Sequence, residues 1–102
     1  MVSRDALPKG LLEDVKASCD ITWPDKATET KIRGFIASGM VYINDKYGEE
    51  ADYTVDGYPR TLLMEYVRYA RDSALDVFEN NYLSTIIAMQ TKKELSQYAE
   101  TS

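Results

Sequence analysis

The stretch "RTLLMEYVRYARDSALDVFENNY", residues 60 to 82, constrains the chain most. Its spacing predicts one long helix, and the wheel counted from Leu63 is lopsided. Glu65, Arg68, Asp72, Asp76 and Glu79 gather in a polar sector of about 80°. Leu63, Tyr66, Val67, Ala70, Ala74, Val77 and Phe78 form a core stripe. Leu62 and Tyr69 widen that stripe on one flank, and Met64 and Leu75 lie on the other beside Arg71. A surface helix buries one stripe, so a helix apolar on both flanks needs cover from several neighbours. At 102 residues the chain holds one domain with a single modest core, expected over about residues 10–90 within 1–102.

The rest of the chain supplies those neighbours. Leu11, Leu12, Val15 and Cys19 recur at helical spacing after Pro8 and Gly10, which predicts a first helix near 10–19. Pro24 sits early in the next helix or just before it, with Thr22 or Asp25 as its cap. From Asp25 to Tyr47, residues Ile32, Phe35, Ile36, Gly39, Met40, Ile43 and Tyr47 share one arc, leaving Lys31, Arg33, Asn44 and Asp45 outside it. A glycine on the apolar arc of a helix lowers its propensity, so Gly39 marks a close approach by a crossing helix. Gly48 stops this second helix. The loop "EEADYTVDGYP" follows, in which Tyr53, Val55 and Tyr58 alternate with polar residues as in a short extended piece or small hairpin. Pro59 suits the first turn of the third helix. Asn80 and Asn81 are expected to break or bend the chain before a last helix with Ile86 and Ile87 at its apolar centre and a weaker group at Leu95, Tyr98 and Ala99. The expected fold is therefore all-α, a small bundle of three to four helices with a long central helix and an irregular loop or small hairpin between helices two and three.

Composition narrows the chemistry. A net charge of −5 argues against gripping nucleic acid by its phosphates, which takes a local excess of Lys and Arg. Lys92 and Lys93 are two charges, not a patch. No stretch approaches the run of about 18 apolar residues that a membrane span requires, and "MVSRDALPKG" lacks the apolar core of a signal peptide, so a cytoplasmic location is expected. With no histidine and only Cys19, a zinc site is excluded and no internal disulfide can form. No Ser, Thr or Cys sits in a strained nucleophile turn, so an enzyme is not expected. Asp45, Glu49, Glu50, Asp52 and Asp56 offer hard oxygen ligands, but their spacing fails the EF-hand pattern and reads as a solvated acidic loop. Cys19 reads as a small core or helix-end residue. Trp23 reads as a plug at the corner between the first two helices, with an interface anchor as its alternative.

Two segments then become informative together. "LLEDVKASCDITWPDKATETKIRGFIASGMVYINDKYG", an acidic variable loop, and "LLMEYVRYARDSALDVFENNYLSTIIAMQ" resemble the head-tail connector (adaptor, or head-completion) proteins of long-tailed bacteriophages and related prophages. The resemblance covers roughly residues 11–90 and contains no catalytic motif. It implies a small helical subunit that forms a homo-oligomeric ring under the portal protein after DNA packaging. Such a ring extends the DNA channel and offers a platform to the next connector or tail protein. It implies no cofactor and no membrane, and a place in the host cytoplasm during assembly and at the head-tail junction of the virion afterwards.

Ring formation joins two different patches of one subunit, and an acidic channel wall lets DNA pass without binding it. On this expectation Leu62 and Tyr69 on one side, and Met64, Arg71 and Leu75 on the other, pack against neighbouring subunits. Glu49, Glu50, Asp52, Tyr53, Asp56 and Tyr58 form a partner-contact loop, and the segment "TKKELSQYAETS" is a second contact for portal or tail. The alternative is a small acidic regulator, a DNA-mimicking inhibitor or antitoxin-like partner. Its carboxylates should then stand in paired rows, which Arg68, Arg71, Lys92 and Lys93 interrupt.

Overall fold

The computed structural model describes residues 6–101, with side chains as far as Tyr98. It is all-α: α1 (Leu11–Ser18), α2 (Lys26–Tyr47), α3 (Tyr58–Arg71), a single 3-10 turn (Leu75–Val77) and α4 (Phe78–Thr101), with no strand among the described residues. Ala99, expected in the last apolar group, lies outside the described side chains.

Helix α1 buries Leu11, Leu12 and Val15. It ends in a Schellman turn: Asp20 adopts the left-handed conformation (φ 57°), the Asp20 amide bonds the Ala17 carbonyl, and the Ile21 amide bonds that of Lys16 at 2.9 Å. Ile21, the residue after the turn, is buried and fills the corner. Trp23 is instead half exposed, so the expected plug is corrected: the Schellman turn aims Ile21 inward and leaves the indole outside.

Asp25 caps α2 through its side chain, which accepts from the Ala27 amide and the Thr28 hydroxyl, with Pro24 one residue ahead of the cap. The Thr28 hydroxyl is also the main reason the Asp25 carboxyl is held below its ordinary range. Ile32, Ile36, Met40 and Ile43 line the buried face. Gly39 meets α3 as expected: a Cβ there would lie 2.8 Å from both Leu63 Cδ1 and Tyr66 Cδ1. Gly48 ends α2 with φ 90°.

No hairpin follows. Asp52 accepts from the Thr54 amide and hydroxyl to make a tight turn, and Tyr53 is driven into the core at 1% exposure while Val55 stays outside. The Tyr53 hydroxyl donates to Asn44 Oδ1 at 2.6 Å, and the same oxygen accepts from the Ala51 amide. Asn44, polar and outside the apolar arc, thus fastens the loop back onto α2. Burial pushes the Tyr53 hydroxyl pKa strongly upward. Arg60 completes the clasp, donating to the Tyr53 carbonyl and to Asp14 Oδ2 on α1, each at 2.9 Å.

The expected single helix over residues 60–82 is corrected. Helix α3 stops at Arg71 in a second Schellman turn, with Ser73 left-handed (φ 55°), Ser73 N bonded to Ala70 O, and Ala74 N bonded to Tyr69 O at 2.8 Å. The chain then folds back, so α4 packs antiparallel on α3 and also against α2. Asn80 and Asn81, expected to break a helix, lie inside the first turns of α4.

Candidate interaction surfaces

The fold-back explains most of the apolar excess on residues 60–82. Phe78, buried at the start of α4, sits at the centre of an aromatic cluster. Tyr66 and Tyr69 meet its edge at centroid distances of 5.4 Å each, Tyr42 at 5.9 Å, and Tyr82 stacks at 5.0 Å. The hydroxyls of Tyr42, Tyr69 and Tyr82 are partnered at the rim. Tyr42 donates to Glu79 Oε1 at 2.6 Å, beside Lys46 at 2.9 Å from the same oxygen. Tyr82 donates to Glu65 Oε2 at 2.9 Å, and Asn81 donates to the Tyr69 hydroxyl. The Tyr42 hydroxyl, with Lys46, holds the Glu79 carboxyl below its ordinary range. Burial, with Glu65 alongside, pushes the Tyr82 hydroxyl up to about 12.

The five residues expected at subunit contacts therefore separate. Leu62 is corrected: at 1% exposure it belongs to the core with Leu11, Leu12 and Val15, because α1 covers that flank of α3. Tyr69 and Met64 are partly buried against the core. Arg71 is exposed and donates to the Cys19 carbonyl at 3.1 Å, joining the ends of α3 and α1. Leu75 is exposed on the 3-10 turn, as is Val77.

The acidic loop divides likewise. Tyr53 is corrected from a contact residue to a core residue. Glu49 pairs with Lys93 at 3.6 Å, Asp56 lies 3.9 Å from Arg60 with its side chain fully in solvent, and Glu50 forms no ion pair among the described residues. Asp52 is exposed and held by Thr54, whose hydroxyl keeps its carboxyl below the ordinary range. Tyr58 is exposed beneath the Lys92 ammonium, 5.8 Å from the ring centroid. Among the described residues, no group of three or more His, Cys, Asp or Glu is arranged to hold a metal ion.

Two features escape local spacing. Lys93 and Gln90 of α4 donate to the Tyr47 and Lys46 carbonyls at 2.7 and 2.9 Å, capping the C-terminus of α2 with a cation where its dipole is negative. On the other side of α4, Leu83, Ile87, Leu95 and Tyr98 lie outside the arc of Phe78, Tyr82, Ile86 and Met89 that meets the core, and their exposure runs from 47% at Leu83 to 75% at Tyr98. The adjacent pair Ile86 and Ile87 held the clue: two neighbours on a helix stand about 100° apart, so both cannot face one core.

The surface also has shallow hollows. One of about 310 Å³ lies between α2 and the end of α3, where Lys31, Arg71, Thr28, Phe35 and Ser73 line it. Another, of about 190 Å³, lies between Tyr58, Tyr47 and Lys92. No described helix is long and apolar enough to cross a membrane. Compared with protein-family models, curated proteins and solved structures, the chain gives no significant match.

Proposed function

We propose that this chain is a ring-forming subunit of a phage or prophage head-tail connector. It assembles on the portal, lengthens the DNA channel and presents its outer face to the next connector or tail protein. The observation that carries this reading is the uncovered face of α4. Leu83, Ile87, Leu95 and Tyr98 distribute apolar side chains along about 22 Å of α4, with Leu75 and Val77 exposed on the turn before it. Large apolar side chains left exposed along that length suit a protein contact better than solvent. The two segments that resemble connectors, 11–48 and 62–90, supply α1, α2, all but the first turn of α3 and the first half of α4.

The net charge of −5 suits a channel that DNA traverses without binding. It fits the acidic-inhibitor reading less well, because such mimicry needs free carboxylates in rows. Here Asp14, Glu65 and Glu79 are engaged by Arg60, Arg68 and Lys46.

Paired substitution of Leu83→Asp and Ile87→Asp tests the reading. Both side chains are about half exposed, so folding persists by circular dichroism while incorporation into portal-containing particles is lost. Incorporation equal to that of the unmodified chain would remove α4 as the assembly surface.

A further inference from the structure

The α2–α3 pair carries a cation without an ion pair, Lys31, toward one end and a carboxylate without one, Glu50, in the loop beyond the other, among the described residues. At one end, the hollow beside the N-terminal half of α2 is lined by two cations and no carboxylate. Lys31 is exposed and makes no ion pair among the described residues, and Arg71 uses one guanidinium N–H on the Cys19 carbonyl. Asp20 and Asp72 line only the adjoining hollow around Arg68 and Arg71. At the other end, beyond the C-terminus of α2, the loop presents the Glu50 carboxylate, which is unpaired among the described residues, and Asp56, whose side chain is fully in solvent. Lys31 and Tyr47 are separated by about 24 Å of helix, so one molecule cannot satisfy its own pair.

We propose that the two ends meet between copies: the loop carboxylates of one subunit, Glu50 foremost and Asp56 of the same loop, dock in the Lys31–Arg71 hollow of the next. This inference rests on the ring reading and gives the ring its direction. The occupant is a second copy because the complementary charges sit on the same chain, at opposite ends of one rigid helix pair. A contact of that kind is heterologous, and heterologous contacts repeat until they close or extend as a fibre. In a chain with net charge −5, copies otherwise repel, so an oriented pair of opposite charges also selects which faces approach.

Carbodiimide coupling joins a lysine to a carboxylate only when the two touch, so a Lys31–Glu50 or Lys31–Asp56 product identifies a contact between chains. Applied to the full chain assembled on portal, mass spectrometry should find that product in species of dimer mass or larger. Lys31→Glu and Glu50→Lys alter two exposed positions, so the fold is retained. Each alone should raise the concentration for half-assembly about tenfold, the scale of one close charge pair. The K31E/E50K double variant should return to within about threefold of the original. Single variants that assemble normally, or a double variant no better than the singles, overturn the charge pairing and leave the ring reading standing. An unmodified chain that assembles under no condition, with or without portal, overturns both.

Discussion

The Ala74 amide donates to the Tyr69 carbonyl at 2.8 Å, closing α3 around Ser73. That bond fixes the path of the chain, because it turns what would continue as helix back toward the aromatic cluster. Serine at a left-handed position carries a Cβ penalty of about 1 kcal/mol, which glycine lacks. Ser73→Gly should therefore stabilise the domain by up to about 1 kcal/mol, raising Tm by up to about 4–8 °C in a thermal melt. A continuous helix would lose about 0.5 kcal/mol from the same change, so the sign distinguishes the two paths.

Gly39→Ala tests the crossing of α2 and α3. Alanine would gain about 1 kcal/mol of helix propensity in isolation, but its Cβ would meet Leu63 and Tyr66 at 2.8 Å. Overpacking of a tight interior costs about 1–3 kcal/mol, so net destabilisation is expected in urea melts.

Tyr53 and Val55 alternate in sequence and differ in fate. Tyr53→Ala removes a buried ring and its bond to Asn44, for an expected loss of about 3–5 kcal/mol. Val55→Ala, at an exposed position, should stay within about 0.5 kcal/mol. Equal effects would contradict the inward turn of the loop.

Glu79 gives the structure a pH signature. Its folded pKa is depressed by the Tyr42 hydroxyl and by Lys46, so its contribution is present above the unfolded value of about 4.3 and is lost as pH falls through the folded value. The Tm difference between the original chain and Glu79→Gln should hold at neutral pH and shrink below about pH 4. A difference that grows on acidification would contradict the assignment.

Much of the fold was legible locally. The arcs of α1 and α2 reflect a periodicity that burial imposes, and Gly39 and Gly48 sit where a close approach and a left-handed cap require them. The end of α3 was not legible, because Asp72 and Ser73 lack the Gly or Asn that usually marks a left-handed stop while the wheel continues unbroken through Phe78. Once the chain is read as straight, Leu62 and Tyr69 look like spare surface. It takes α1, and α4 folding back, to cover them, and that is long-range packing that spacing does not encode. Tyr53 shows the same limit: its burial depends on Asn44 and Arg60, which approach from α2 and α3. At the candidate site, Leu75 is exposed on the turn that follows α3, a place the wheel of one straight helix does not describe, and the face of α4 stayed hidden because Ile86 and Ile87 read as one apolar centre.

The central claim is that this chain assembles into a ring on a portal. Its most direct test is electron microscopy of purified portal-containing particles from the same genome, incubated with the purified chain. The account predicts an added ring of density beneath the portal, coaxial with the channel and composed of repeated copies of this four-helix subunit. Portal particles left bare at saturating concentrations of the folded chain would contradict it.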